Sequence, residues 1–207
     1  MKLVYAKPSP FVRKVMVILE EAGQTANVEL VDGFGSPTAP NADAIASNPL
    51  GKIPSLQLDD GTSIYDSRVI TRYLDDQFKL GLYPSDKRAF STLTLEAHAD
   101  AILDACILCV YEVRCRDESI HSKEWLDAQR NKIARAVSAL ESHWMPHLQT
   151  ADKALDIGHI GVGCALEYLD FRQEMGAWPE WRAKHPTLDQ WGKEFSKRAS
   201  MQATVPA

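Results

Sequence analysis

The chain has 207 residues, 45% of them hydrophobic and 25% charged, with a formal net charge of −5. That is enough apolar material for one large domain or two small ones, and the acidic balance argues against a nucleic-acid partner, which calls for a basic stripe. Apolar runs are broken by charges, as Asp104 breaks "AILDACILCV", so no segment reads as a membrane span. The opening "MKLVYAKPSP" lacks the apolar core of a secretory signal, so the expected location is the cytoplasm.

In chain order, "KLVYA" is a short apolar run stopped by Pro8 and Pro10 and reads as a buried strand. Val12, Val15, Met16 and Leu19 recur at i, i+3, i+4 and i+7, which predicts a helix from about Pro10 to Ala22 with Gly23 at its stop. "NVELVD" is a second strand, and strand–helix–strand suggests a parallel pair. The loop "GFGSPTAPN" precedes a short helix over "ADAIAS". "SLQLDD" and "TSIY" flank Asp60-Gly61 and predict a hairpin. Ser67 then begins a helix, with Ile70, Tyr73 and Leu74 on one face. "KLGLYPSDKR" breaks the pattern, and beyond Arg88 every long periodic segment is helical. The expected organisation is a small α/β domain over residues 1–77, a linker over 78–87 and an all-helical domain over 88–207.

Several motifs lead nowhere. Cys106 and Cys109 form a C-x-x-C, but inside a helical pattern, whereas redox pairs use a helix N-terminus to lower a thiol pKa; packing is the expected role. His143 and His147 have the i, i+4 spacing of metal ligands, yet Pro146 lies between them and no carboxylate or further ligand completes the set, so no metal site is expected. "GFG" at Gly33–Gly35 opens no helix and reads as a flexible loop.

Three short pieces remain: "PSPF", "GKIPSL" and "YDSRVI". Ser9 ahead of Pro10 has the form of an N-cap with proline at N1, Pro54 could be a loop proline, and Ser67 could be a second cap. In this order and on this β/α pattern the chain resembles the glutathione transferase superfamily over nearly its whole length. "NPLGKIPSL" is the most specific segment, followed by "YDS"; the nearest group is that of bacterial transferase-like proteins in which a first strand leads into "SPFVRK".

The resemblance implies an α/β thioredoxin-like N-terminal domain followed by an all-α C-terminal helical domain, with glutathione as co-substrate and no metal. It implies a cis bond before Pro54, with the Ile53 backbone turned toward the cysteinyl part of glutathione like an added strand. Asp66 and Ser67 would take the γ-glutamyl ammonium and carboxylate, and Lys52 the glycine carboxylate. Ser9 would lie near the sulfur and donate a hydrogen bond to the thiolate, unless it serves only as a cap. Tyr5 is the rival hydroxyl, although its place within "LVYA" favours a strand-end role. Phe11, Phe34 and Tyr111 would line the pocket for a second substrate. The implied activity is conjugation of the glutathione thiolate to small apolar electrophiles. Alternatives are a non-enzymatic glutathione- or protein-binding member, or a glutathione-dependent thiol oxidoreductase, which would call for a cysteine where Ser9 stands. The resemblance also implies a homodimer, with Asp66–Ser67 near the partner's first long C-terminal helix, the one that carries Asp100 and Asp104. One departure stands out. The family caps its central C-terminal helix with Ser/Thr followed three residues on by Asp; here the order is Asp156 then His159, and a histidine is not expected to accept as a carboxylate does.

Overall fold

The computed structural model describes residues 1–176, 178 and 180–207. It contains two compact units, Met1–Tyr83 joined by Ala199–Ala207, and Pro84–Arg198.

In the first unit, β1 (Lys2–Tyr5) buries the consecutive residues Leu3 and Val4, one on each face of the sheet. That is why the strand reads as an unbroken apolar run rather than an alternation. Ser9 caps α1 (Pro10–Glu21), whose buried face includes Val12, Val15, Ile18 and Leu19. The chain returns as β2 (Glu29–Asp32), parallel to β1 with Leu3 opposite Leu30. Asn41 caps α2 (Ala42–Ser47) by accepting from the backbone N–H groups of Asp43 and Ala44. Then β3 (Ser55–Gln57) runs antiparallel to β1 and β4 (Ser63–Ile64) antiparallel to β3, giving the strand order β2-β1-β3-β4. The amphipathic α3 (Ser67–Phe78) buries Ile70, Thr71 and Leu74 and packs on α1. Its exit is fixed by Asp75, whose carboxylate accepts from Leu82 N–H at 2.7 Å and Tyr83 N–H at 3.3 Å.

Among the described residues of the second unit, the regular elements are all helices. It contains α4 (Ala89–Cys115) and α5 (Lys123–Ala139), the latter continuing through a π-helical turn at Leu140–Trp144 into α6 (Met145–Leu148). After these come α7 (Ile157–Phe171), α8 (Gln173–Gly176) and α9 (Pro186–Phe195). Nearly all of α7 is buried, and α4 lies along it. The approach depends on small residues: a Cβ on Gly158 would fall 2.9 Å from Leu95 Cδ2, and one on Gly161 would fall 3.1 Å from the Ala99 Cβ. Cys106 and Cys109 are both buried in the middle of α4, where burial pushes both thiols up. They pack rather than react.

The last helix, α10 (Ala199–Ala203), returns to α1. Arg13 on α1 donates from Nη2 to the Met201 carbonyl at 3.2 Å and from Nε to Thr204 Oγ1 at 3.4 Å, and Ser200 Oγ donates to Glu21. Met201 is fully buried. The expected helical domain over 88–207 is therefore corrected at its end: residues 199–207 belong to the first unit, because the buried Arg13 draws its acceptors from them.

Candidate functional site

The sheet topology gathers the three motifs at one end of the first unit. β1 runs toward Ser9. The antiparallel β3 begins where β1 ends, with Ser55 opposite Val4, so Ile53-Pro54 lies at the same end. β4 is antiparallel to β3 with Ile64 opposite Leu56, so its exit into Asp66-Ser67 returns there too.

Ser9 sits in extended backbone ahead of Pro10, and its side chain accepts from Val12 N–H at 3.4 Å. That bond uses an oxygen lone pair. The hydroxyl hydrogen has no acceptor among the described residues, so one side chain can cap the helix and still donate to a ligand. The first turn of α1 adds the Phe11 N–H, the one left after Val12 and Arg13 pair with Ser9, and a positive dipole end beside it.

The loop before β3 is built around Asn48, which is 1% exposed. Its amide donates to the Lys52 carbonyl at 2.9 Å, while its carbonyl oxygen accepts from Leu50 N–H at 3.0 Å. Gly51 takes φ +61°, a conformation that favours glycine. These two residues give "NPLGK" its shape. The Ile53-Pro54 peptide is cis, as the resemblance implies. Among the described residues no backbone hydrogen bond outside the strands involves Ile53, so its N–H and C=O are open to an extended ligand. Gly33 flanks it closely: a Cβ there would meet Ile53 Cγ2 at 2.9 Å and Val4 Cγ1 at 2.6 Å. Sequence reasoning gives neither Asn48 nor Gly33 a role, although an asparagine three residues before a glycine in a proline-marked loop is an available signal. Lys52 is exposed and carries its charge on this rim.

The Tyr65-Asp66 peptide is also cis. Ser67 begins α3 as expected, though not as its cap. Asp66 is the N-cap, accepting from Arg68 N–H at 3.0 Å, and Ser67 is the first helical residue, buried. From its extended backbone ahead of the helix the Asp66 carboxylate reaches the open N–H row, which frees the Ser67 hydroxyl from that duty. This corner thus offers an exposed carboxylate for a cation and a helix start with a hydroxyl for an anion.

Of the aromatic residues expected to face a second substrate, Phe11 is half-buried in the first turn of α1, and Phe34 is 53% exposed in the loop after β2. Tyr111 belongs to the other unit, half-buried on α4. Tyr5 closes β1 opposite Asp32, a strand-end position. On α4, Asp100 is buried and Asp104 is exposed.

Two readings of the histidines are overturned in the second unit. His147 does meet a carboxylate: its Nε2–H donates to Asp156 Oδ2 at 2.7 Å, and His147, Asp156 and His159 bring their ligating atoms within 4.8 Å of one another. His143 takes no part and pairs with Ser142 instead. The cluster is closed by its own hydrogen bonds, since Asp156 also accepts from Thr92 Oγ1 at 2.8 Å and from His159 N–H at 3.2 Å. A cation would have to displace them. His159, moreover, does complete a capping box. Its Nε2 lies 3.0 Å from the His147 carbonyl and donates to it, leaving Nδ1 to accept from Asp156 N–H at 3.1 Å. An imidazole can do this because, unlike a carboxylate, it has one donor and one acceptor. Thus the cluster is a helix cap shared by α4, α6 and α7.

The model of the glutathione S-transferase N-terminal domain matches residues 8–77, and that of the glutathione S-transferase C-terminal domain matches residues 123–191. Over 100% of this chain and 98% of its own, a glutathione transferase family member from Pseudomonas fluorescens Pf-5, solved with bound glutathione, is 46% identical with a TM-score of 0.93. A second structure of a family member from that organism, with bound S-(propanoic acid)-glutathione, is also 46% identical, with a TM-score of 0.88 over 100% and 99% of the two chains. The uncharacterized GST-like protein YibF of Escherichia coli K12 is 32% identical over 210 residues, 100% of this chain and 98% of that protein. With both domain models matched in order, and with the strand, turn and helix starts arranged as described, the chain belongs to the glutathione S-transferase superfamily.

Proposed function

We propose that this protein is a cytoplasmic, homodimeric glutathione transferase that joins the glutathione thiolate to small electrophiles. The observation that carries the reading is the convergence of Ser9, Ile53-Pro54 and Asp66-Ser67 at one end of the sheet. The glutathione held by the 46% identical relative supports the ligand, and S-(propanoic acid)-glutathione in the second structure supports an S-conjugate as product.

In this reading Ile53 pairs with the cysteinyl backbone, Asp66 with the γ-glutamyl ammonium, Ser67 and the start of α3 with the γ-glutamyl carboxylate, and Lys52 with the glycine carboxylate. A free thiol has a pKa of about 8.5, so little thiolate exists at neutral pH. Donation from the Ser9 hydroxyl and the start of α1 lowers that value, and the thiol proton leaves to solvent. The sulfur lone pair then forms the S–C bond while the electrophile's π pair shifts onto its acceptor atom and is protonated by solvent, or its leaving group departs with the bonding pair. Phe11 and Phe34 supply apolar surface for the electrophile. A thiol oxidoreductase is disfavoured, because position 9 is serine and all four cysteines lie in the second unit.

Calorimetric titration with glutathione tests the site. Asp66→Ala and Ser67→Ala should each weaken binding about tenfold or more, the loss of a charge-assisted hydrogen bond. Wild-type affinity in both would remove this site from consideration. Sedimentation at micromolar concentration should show a dimer, and a monomer there refutes the assembly.

A further inference from the structure

The backbone of Asn48 is tied to α2, where its N–H donates to the Ala44 carbonyl at 2.9 Å, and its side chain is buried in the loop that follows. The side-chain oxygen accepts from Leu50 N–H, so the amino group is the half that faces the Lys52 carbonyl, at 2.9 Å. The Lys52 carbonyl and the Ile53 N–H belong to one trans peptide unit, and such a unit is planar, with its C=O and N–H pointing to opposite sides. Holding the oxygen on the Asn48 side therefore aims the Ile53 N–H the other way. The bond acts on strength as well as on direction. A carbonyl that accepts a hydrogen bond polarises its peptide unit and makes the N–H on the far side a better donor.

A second bond ties the same loop to α2 without touching this peptide. Ser47 Oγ donates to the Asp43 carbonyl at 2.9 Å, which leaves it to accept from the hydroxyl of Ser55, fully buried at the start of β3. This pair joins side chains at the two ends of the loop and sets no peptide plane between them.

We infer that Asn48 is a positioning residue for the thiol substrate: it aims and polarises the Ile53 N–H, and so selects a thiol compound with a cysteinyl carbonyl over one that lacks it. The inference rests on the proposed pairing of Ile53 with the cysteinyl backbone, and adds the residue that makes that pairing selective. The N–H needs a carbonyl oxygen as its acceptor, and the cysteinyl carbonyl is the one that an extended glutathione brings there.

A pair of truncated ligands isolates this contact. γ-Glutamylcysteinamide keeps the cysteinyl carbonyl and γ-glutamylcysteamine lacks it. Both keep the γ-glutamyl group and the thiol, and neither has the glycine that Lys52 would meet. These ligands and glutathione are titrated calorimetrically into wild type, Asn48→Ala, Asn48→Asp and Ser55→Ala. Wild type should bind the cysteinamide about tenfold tighter than the cysteamine. Asn48→Asp keeps an acceptor for Leu50 N–H and loses the donor; it and Asn48→Ala should bind the two ligands within about threefold of each other, with affinity for the cysteamine unchanged. Ser55→Ala should lose stability and keep the preference. An undiminished preference in the folded Asn48 variants, its loss in Ser55→Ala as well, or no preference in a wild type that binds glutathione overturns the inference and leaves the glutathione reading intact. Failure of wild type to bind glutathione overturns both. Should neither Asn48 variant fold, nuclear magnetic resonance on wild type decides. The Asn48 side-chain amide protons should then move downfield when the cysteinamide binds and stay in place with the cysteamine, and an equal response to both overturns the inference.

Discussion

At the scale of single residues, Ser9 shows how one hydroxyl serves two purposes. Capping draws on a lone pair, through a long contact of 3.4 Å to Val12 N–H, while stabilising a thiolate draws on the hydrogen. Ser9→Ala should cost about 0.5–1 kcal/mol of stability, the low end for a lost cap. Its larger effect should be on the bound thiol. The donor favours the charged form, so removing it raises the thiol pKa, and the turnover deficit should narrow as pH rises and solvent deprotonates the thiol unaided. Thiolate absorbance of the glutathione complex against pH reads this directly; superimposable curves for the two proteins would leave Ser9 a helix cap alone. The residues of this corner differ in how legible they are in the sequence. Ser9 stands out between two prolines. Asp66 and Ser67 are both good capping types in adjacent positions, and only the backbone path decides that the aspartate caps and the serine enters the helix. Asn48 is hidden because its two bonds reach residues of its own loop, and loop geometry has no periodicity to read.

At the scale of elements, α7 depends on the buried cap at its start. Burial raises the Asp156 carboxyl, but hydrogen bonds from His147, His159 and Thr92 outweigh it and hold the group well below the usual carboxylate range. A folded pKa below the unfolded one means stability that is fully present above the unfolded value, about 3.9, and is lost as pH falls from there through the folded value. Asp156→Ala should destabilise the protein by about 2–4 kcal/mol at neutral pH, one cap plus orphaned buried donors. Its stability should also fall less steeply than wild type below about pH 4. Urea denaturation of both proteins between neutral and acidic pH checks the magnitude and the slope; parallel pH profiles would contradict the assignment. Asp156 is readable as a cap from its place before "IGHIGVG". The role of His159 is not, because its acceptor function depends on His147 holding the opposite ring nitrogen, and Thr92 joins from 64 residues away.

At the scale of the whole molecule, the order of strands and helices and the break near Pro84 are legible, since hydrophobic period and proline placement are local signals. The return of residues 199–207 to α1 is not, because a long-range contact leaves no periodic mark and "ASMQA" carries little pattern of its own. Deleting Ala199–Ala207 should destabilise the first unit by on the order of 3 kcal/mol, from exposing the surface around Met201 and breaking the bonds of Arg13. Thermal denaturation and amide exchange along α1 would register this, and unchanged protection there would show the contact to be dispensable. The same closure bears on how the chain is made. The unit carrying Ser9, Ile53 and Asp66 is interrupted by the whole of Pro84–Arg198, and a ribosome adding about 5–20 residues per second takes on the order of ten seconds to cross that insertion. Throughout that interval the emerging α1 presents Arg13 and its apolar surroundings without their cover, so nascent chains should be most open to chaperone capture late in synthesis, after most of the sequence has already appeared.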